Sequence, residues 1–149
     1  METNKWLPVS IYRFILTVAR RTGAESIKIR AIVTDGAEIA VLRTRGEKYH
    51  LLPYYNIEED AEGEDVENAI KEIIGNAGLD ISCISRYLGN KNANCFYFEV
   101  LVKKKKTRNI IWVNKDELDK LNIPEEENKV LKAYFAENTN CYNKFRANK

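Results

Sequence analysis

The chain has 149 residues, the size of one globular domain, and its 44% hydrophobic and 31% charged residues suit a packed core rather than a disordered or fibrous chain. Lys plus Arg number 24 against 22 for Asp plus Glu, so a net charge of only +2 excludes a global electrostatic drive toward nucleic acid or acidic lipid. No run of about 18 apolar residues is present, which excludes a spanning helix. Three cysteines (Cys83, Cys95, Cys141) without a Cys-x-x-Cys pair fit reduced thiols and a cytoplasmic setting better than a disulfide framework or a zinc site.

Residues 9–21, VSIYRFILTVARR, predict an amphipathic helix ended by Gly23. Ile11, Ile15 and Val18 share one face with Phe14 beside them, and Arg13, Arg20 and Arg21 extend the polar side. Such a helix docks on the domain; the alternative, from its basic and apolar character, is a transit or surface-seeking segment. Ser26 to Thr34 alternates and is rich in β-branched residues, so it predicts a strand, and Glu38 to Thr44 is its antiparallel partner across the Asp35-Gly36 turn. Arg45-Gly46-Glu47 reads as a loop. Tyr49 to Pro53 then gives a short strand, which Pro53 ends.

From Glu58 to Glu67 seven of ten residues are acidic. They suit a solvated loop and helix start, where the helix dipole favours acids, or a divalent-cation loop; EF-hand spacing is absent. The helix from about Asp65 to Ala77 buries Val66, Ala69, Ile70, Ile73 and Ala77, leaves Asn68, Glu72, Gly75 and Asn76 on the opposite line, and stops at Gly78. Ile81 to Leu88, Cys95 to Val102 and Asn109 to Val113 predict three further strands. The turn between the last two, with Lys103 to Lys106 and Arg108, either contacts phosphate or is a solvated tip that discourages edge pairing. A short helix follows over Asp116 to Leu121. Pro124 with Glu125, Glu126 and Glu127 starts a last helix whose buried stripe is Val130, Leu131, Tyr134 and Phe135, and residues 138–149 read as an irregular tail.

The stretch Leu51 to Leu79 resembles the Nudix box, G-x5-E-x7-R-E-U-x-E-E-x-G-U with U aliphatic, and its Leu-Pro-Gly-Gly lead-in. Leu52-Pro53 match the lead-in, Gly63-Glu64 the internal Gly-Glu, and Ala69 and Ile70 the helix core. Lys71-Glu72-Ile73 stand at Arg-Glu-U, and Gly78-Leu79 close the box. Trp112-Val113 with Glu117-Leu118 resembles a segment common near the end of such domains. The sequence departs from the pattern where Tyr54 and Tyr55 replace two glycines, where about three extra residues precede Gly63 and one is missing before Ala69, and where Gly75 and Asn76 take the places of the paired glutamates. The resemblance implies one α/β domain over residues 1–149, a mixed sheet between helices with a leading helix.

It also implies a function. Nudix hydrolases cleave nucleoside diphosphates linked to another group, with water and one to three magnesium ions. The resemblance puts metal ligands on the box helix at Glu72 and at positions 75 and 76, so Glu72 and Asn76 are the candidates, with Glu64 of the acidic stretch as a substitute. It also puts an Arg like Arg43, a candidate ligand contact, at the end of the first hairpin. Tyr54 and Tyr55, where the family has glycines, either contact a ligand by stacking or sealing the pocket or else pack and cap the strand end. Magnesium prefers hard, anionic oxygen ligands in octahedral geometry, so Gly75 without a side chain and Asn76 with a neutral amide leave Mg²⁺ or Mn²⁺ weakly held at most. No catalytic residue is assigned. The favoured expectation is a Nudix-like protein with a lapsed metal site that binds a nucleotide-type ligand or a partner protein without efficient turnover. The alternatives are a divergent Mg-dependent nucleoside diphosphate-X pyrophosphohydrolase using Glu72, and, least favoured, a single-stranded nucleic-acid-binding module using the 103–108 turn with Tyr54 and Tyr55. His50, the one histidine, suits a strand position better than a general base.

Overall fold

The computed structural model describes residues 7–23, 25–43, 50–58, 60–92 and 94–147, with side chains left out at 50, 51, 91, 92 and 138–147. The expected 45–47 loop, Thr44, Tyr49, Glu59 and the side chains of His50 and Cys141 lie outside the described residues. In chain order the elements are α1 (Val9–Arg21), β1 (Ser26–Thr34), β2 (Ile39–Arg43), β3 (His50–Leu51), β4 (Tyr54–Glu58), α2 (Gly63–Asn76), β5 (Ile81–Asn92), β6 (Cys95–Val102) and β7 (Ile110–Val113). A 3-10 helix (Lys115–Lys120) and α3 (Glu125–Ala147) follow.

β1 is the axis of a mixed sheet. Its alternation sends Ile27, Ile29, Ala31 and Val33 into a core shared with α1 and α2, while Ile32 enters a second core with Leu118 and the α3 residues Leu131 and Tyr134. β6 runs parallel to it and divides its side chains the same way, Phe96, Phe98 and Val100 to the first core and Tyr97 to the second. The result is an α/β sandwich with helices on both faces, as the sequence predicts.

On its other edge β1 is shared between two partners. β2 pairs only with its end, Val33 with Ala40 and Thr34 with Ile39, whereas β4 pairs antiparallel with Ser26 to Arg30. Between them the chain crosses over: β3 pairs with the end of β2, and one step later the Pro53 carbonyl accepts from Ala31 N at 3.0 Å. Pro53 thus ends pairing with one strand and begins it with the next. β4 was not expected from the sequence; it is held by backbone pairing, with Tyr54, Tyr55 and Asn56 exposed.

Other expectations shift in detail. α1 does dock, but the buried face is Tyr12, Ile15, Leu16 and Ala19, with Ile11 and Val18 half-buried at its flank, and Phe14 is 57% exposed. α2 begins at Gly63, two residues earlier than predicted, because Asp65 Oδ2 accepts from Glu62 N at 2.7 Å and satisfies one of the free donors of the first turn. Gly78 takes φ +77 just past its end, as a terminating glycine should. α3 runs to Ala147, through residues for which an irregular tail was predicted.

Candidate functional site

The split in the sheet leaves a cavity of about 500 Å³ between the end of β2, the start of β4 and the last turn of α2, a volume in the range of small-molecule sites. It is lined by Arg43, Tyr54, Tyr55, Asn56, Asn76 and Asn109, with Leu42, Pro53, Ile73 and Ala77 as its apolar floor. Four of the six sequence candidates therefore meet here: Arg43, Tyr54, Tyr55 and Asn76. They come from three elements, so no sequence spacing brings them together.

Register explains how. Tyr55 pairs with Ile29 and so shares the α2 side of the sheet with it, while Tyr54 pairs with Arg30 on the α3 side. The cavity wraps this strand edge. Lys28 Nζ lies 5.0 Å and Arg30 Cζ 5.3 Å from the Tyr54 ring centroid, cation–π contacts that hold the ring. Arg30 is fixed in turn by Glu127 of α3, an ion pair with side chains only 12% and 5% exposed. Glu127 also accepts from Leu52 N at 3.1 Å, and Arg30 donates to the Leu52 carbonyl at 3.4 Å. Burial pushes the Glu127 carboxyl above its ordinary range, against the opposing pull of Arg30, the Leu52 amide and Lys28. The crossover that feeds Tyr54 and Tyr55 into the cavity is thus clamped from the far side of the sheet.

The other two candidates fall elsewhere. Glu72 is exposed on α2, one turn before Asn76, and outside the cavity lining. Glu64 lies at the opposite end of α2, about 18 Å from Asn76 at 1.5 Å per residue, in a groove against α1 with Arg13, Arg20 and Glu67. Around the last turn of α2 the described residues offer one carboxylate and one amide, a set that does not suit magnesium, and among the described residues no carboxylate lines the cavity. Among the described residues no three His, Cys, Asp or Glu side chains form a group fit to hold a metal. Asn56, Asn109, Arg30 and Glu127 were not singled out beforehand. Asn56 carried a weak signal, two residues from Tyr54 on one strand, but Glu127 was hidden among three consecutive glutamates whose common explanation is the helix dipole.

A second, half-buried carboxylate, Glu99, ties β6 to α3 on the same side. It accepts from Ser85 Oγ at 2.5 Å, from Arg86 Nε at 3.3 Å and from the Tyr134 hydroxyl. Burial raises its pKa, but these hydrogen bonds and the Arg86 charge outweigh burial and leave it below the ordinary value.

No protein-family model matches the chain, and no curated protein matches it in sequence. Solved structures do match in shape. A proposed oxidoreductase from Sinorhizobium meliloti 1021 superposes at TM-score 0.56 with 15% identity, over 85% of this chain and 43% of that one. The MutT protein from Bacillus halodurans gives 0.52 at 14% identity, over 72% of this chain and 80% of that one, and a UDP-X diphosphatase 0.51 at 20%, over 76% and 63%. MutT and UDP-X diphosphatase are Nudix hydrolases, and the fold of this chain is Nudix-like. The chain spans less than half of the Sinorhizobium protein and under two thirds of the diphosphatase.

Proposed function

We propose that this protein uses a Nudix-like fold as a binding scaffold, taking a nucleotide-type ligand into the cavity at the sheet split without efficient hydrolysis. One observation carries the reading: the cavity gathers Arg43, Tyr54, Tyr55 and Asn76 while no carboxylate lines it among the described residues. Tyr55 offers a ring for stacking, the three asparagines offer donors and acceptors for a base edge, and Arg43 offers a fixed positive charge for phosphate. Hydrolysis of a diphosphate demands charge neutralisation at the moment of displacement, which the related folds gain from magnesium and which Gly75 and Asn76 cannot recruit here.

A turnover assay tests this. Purified protein with Mg²⁺ or Mn²⁺ is expected to show negligible release of products from a broad panel of nucleoside diphosphate derivatives, while calorimetry detects binding of one or more nucleotides. Sustained hydrolysis that disappears in Glu72→Gln would overturn the proposal in favour of a divergent pyrophosphohydrolase.

A further inference from the structure

The turn from Lys103 to Arg108 is not remote from the cavity. It leaves β6, runs beside β7 and returns at Asn109, whose carbonyl accepts from Arg43 N at 2.8 Å and whose side chain lines the cavity wall. Along the way its backbone is pinned. Trp112 Nε1 donates to the Lys105 carbonyl at 3.0 Å, Lys104 pairs with Glu38 at the β1–β2 turn, and Thr107 packs over Gly78 at the end of α2, 3.3 Å from where a Cβ would stand. Lys104 is spent on this anchoring. Lys103, Lys105, Lys106 and Arg108 are exposed, and none of them takes part in the ion pairs formed among the described residues. The turn therefore runs from the β1–β2 turn to the Arg43 end of β2 with four exposed cations along it. Its length follows β2, about 13 Å from Ile39 to Arg43 at roughly 3.3 Å per residue, enough for two or three linked phosphates.

The two walls of the cavity differ in charge. The carbonyl end of α2, at Asn76 and Ala77, carries partial negative charge, so phosphate is disfavoured there and favoured at the Arg43 wall. We propose that the cavity binds a nucleoside diphosphate or triphosphate without any divalent ion, the base lying between Tyr55 and Asn76 and the phosphates passing Arg43 to Arg108 and Lys106. This inference rests on the nucleotide-binding reading above and adds to it the phosphate number and the source of the neutralising charge. Lysine and arginine here replace what magnesium does in related folds, and they hold the phosphates without polarising them for attack. A point charge on a flexible stem at Lys106 and a planar fork at Arg108 suit a chain of phosphates rather than one fixed oxyanion.

The test is calorimetry on the full chain in excess EDTA, with mono-, di- and triphosphates of adenosine, guanosine, cytidine and uridine, inorganic tripolyphosphate, and a single-stranded oligonucleotide. At least one nucleoside is expected to bind at least tenfold more tightly as the triphosphate than as the monophosphate. Lys106→Gln with Arg108→Gln is expected to weaken the triphosphate by about tenfold to a hundredfold, the range of one or two charge-assisted hydrogen bonds, while sparing the monophosphate. An unchanged melting temperature shows that the variant is folded. Equal affinity for mono- and triphosphate, an unaffected variant, or binding seen only after magnesium is restored overturns this inference and leaves the nucleotide site standing. An oligonucleotide that outcompetes every triphosphate overturns it in favour of nucleic acid. If no nucleotide binds with or without magnesium, both proposals fall.

Discussion

Glu127 is the buried charged residue among those described, and its one carboxylate holds both the Arg30 guanidinium behind Tyr54 and the Leu52 amide at the strand crossover. Glu127→Ala would leave that guanidinium buried without a partner, so a loss of about 3 to 5 kcal/mol is expected in urea unfolding. A loss under about 1 kcal/mol would show that the crossover does not depend on the clamp. Buried Glu127 and half-buried Glu99, on the same face, have pKa values shifted in opposite senses. Glu99 has a lowered pKa, so its contribution to stability is present above the ordinary value of 4.5 and is lost as pH falls through its folded value. Glu127 has a raised pKa, so its contribution is full below 4.5 and is lost as pH rises through its folded value. Stability measured by urea unfolding across pH should therefore lose part of its acid slope in Glu99→Gln and part of its decline above pH 4.5 in Glu127→Gln; slope changes of the same sign in both variants would contradict the assignment. At this scale the sequence yields four of the residues that line the cavity, since Arg43, Tyr54, Tyr55 and Asn76 stand out by type and position. It does not yield their supports, because Arg30 looks like any outward strand residue and Glu127 like any acid at a helix start.

The elements differ in how plainly they are written. α2 is legible because its apolar residues recur at helical spacing between an acidic start and a terminating glycine, whereas β4 is hidden because its stability lies in pairing with β1 and its side chains face the cavity and solvent. β5 extends to Asn92 rather than Leu88, carrying four register irregularities against β6 that blur any period-two pattern. Gly75 in the last turn of α2 and Gly78 just past its end make contrasting predictions. Gly75 is within the helix, and a Cβ there meets nothing within 4 Å, so Gly75→Ala should stabilise by about 0.5 to 1 kcal/mol. Gly78 has φ +77 and Thr107 close by, so Gly78→Ala should destabilise by more than about 1 kcal/mol. Thermal unfolding of the two variants measures both, and equal responses would mean that α2 does not end where it is drawn.

At the scale of the whole molecule, the alternation of β1 and, apart from β4, the order of elements were readable from the sequence, whereas the division of the buried residues into two cores was not. The meeting of β2, β4 and α2 at one cavity was not, since it depends on a crossover that only pairing partners reveal. The central claim is that α2 presents the metal face of a Nudix-like fold with two of its carboxylates missing. Gly75→Glu with Asn76→Glu writes them back beside Glu72, on exposed positions where the structure has room for side chains. Three close carboxylates repel, and a bound cation relieves that repulsion. Thermal melting of parent and double variant with and without Mg²⁺ or Mn²⁺ measures the difference directly. At ten times its Kd the ion stabilises by RT ln(1 + [L]/Kd), about 1.4 kcal/mol, which for a chain of this size raises Tm by roughly 4 °C. The account predicts that rise in the double variant and none in the parent; an equal shift in both, or no shift in either, would contradict it.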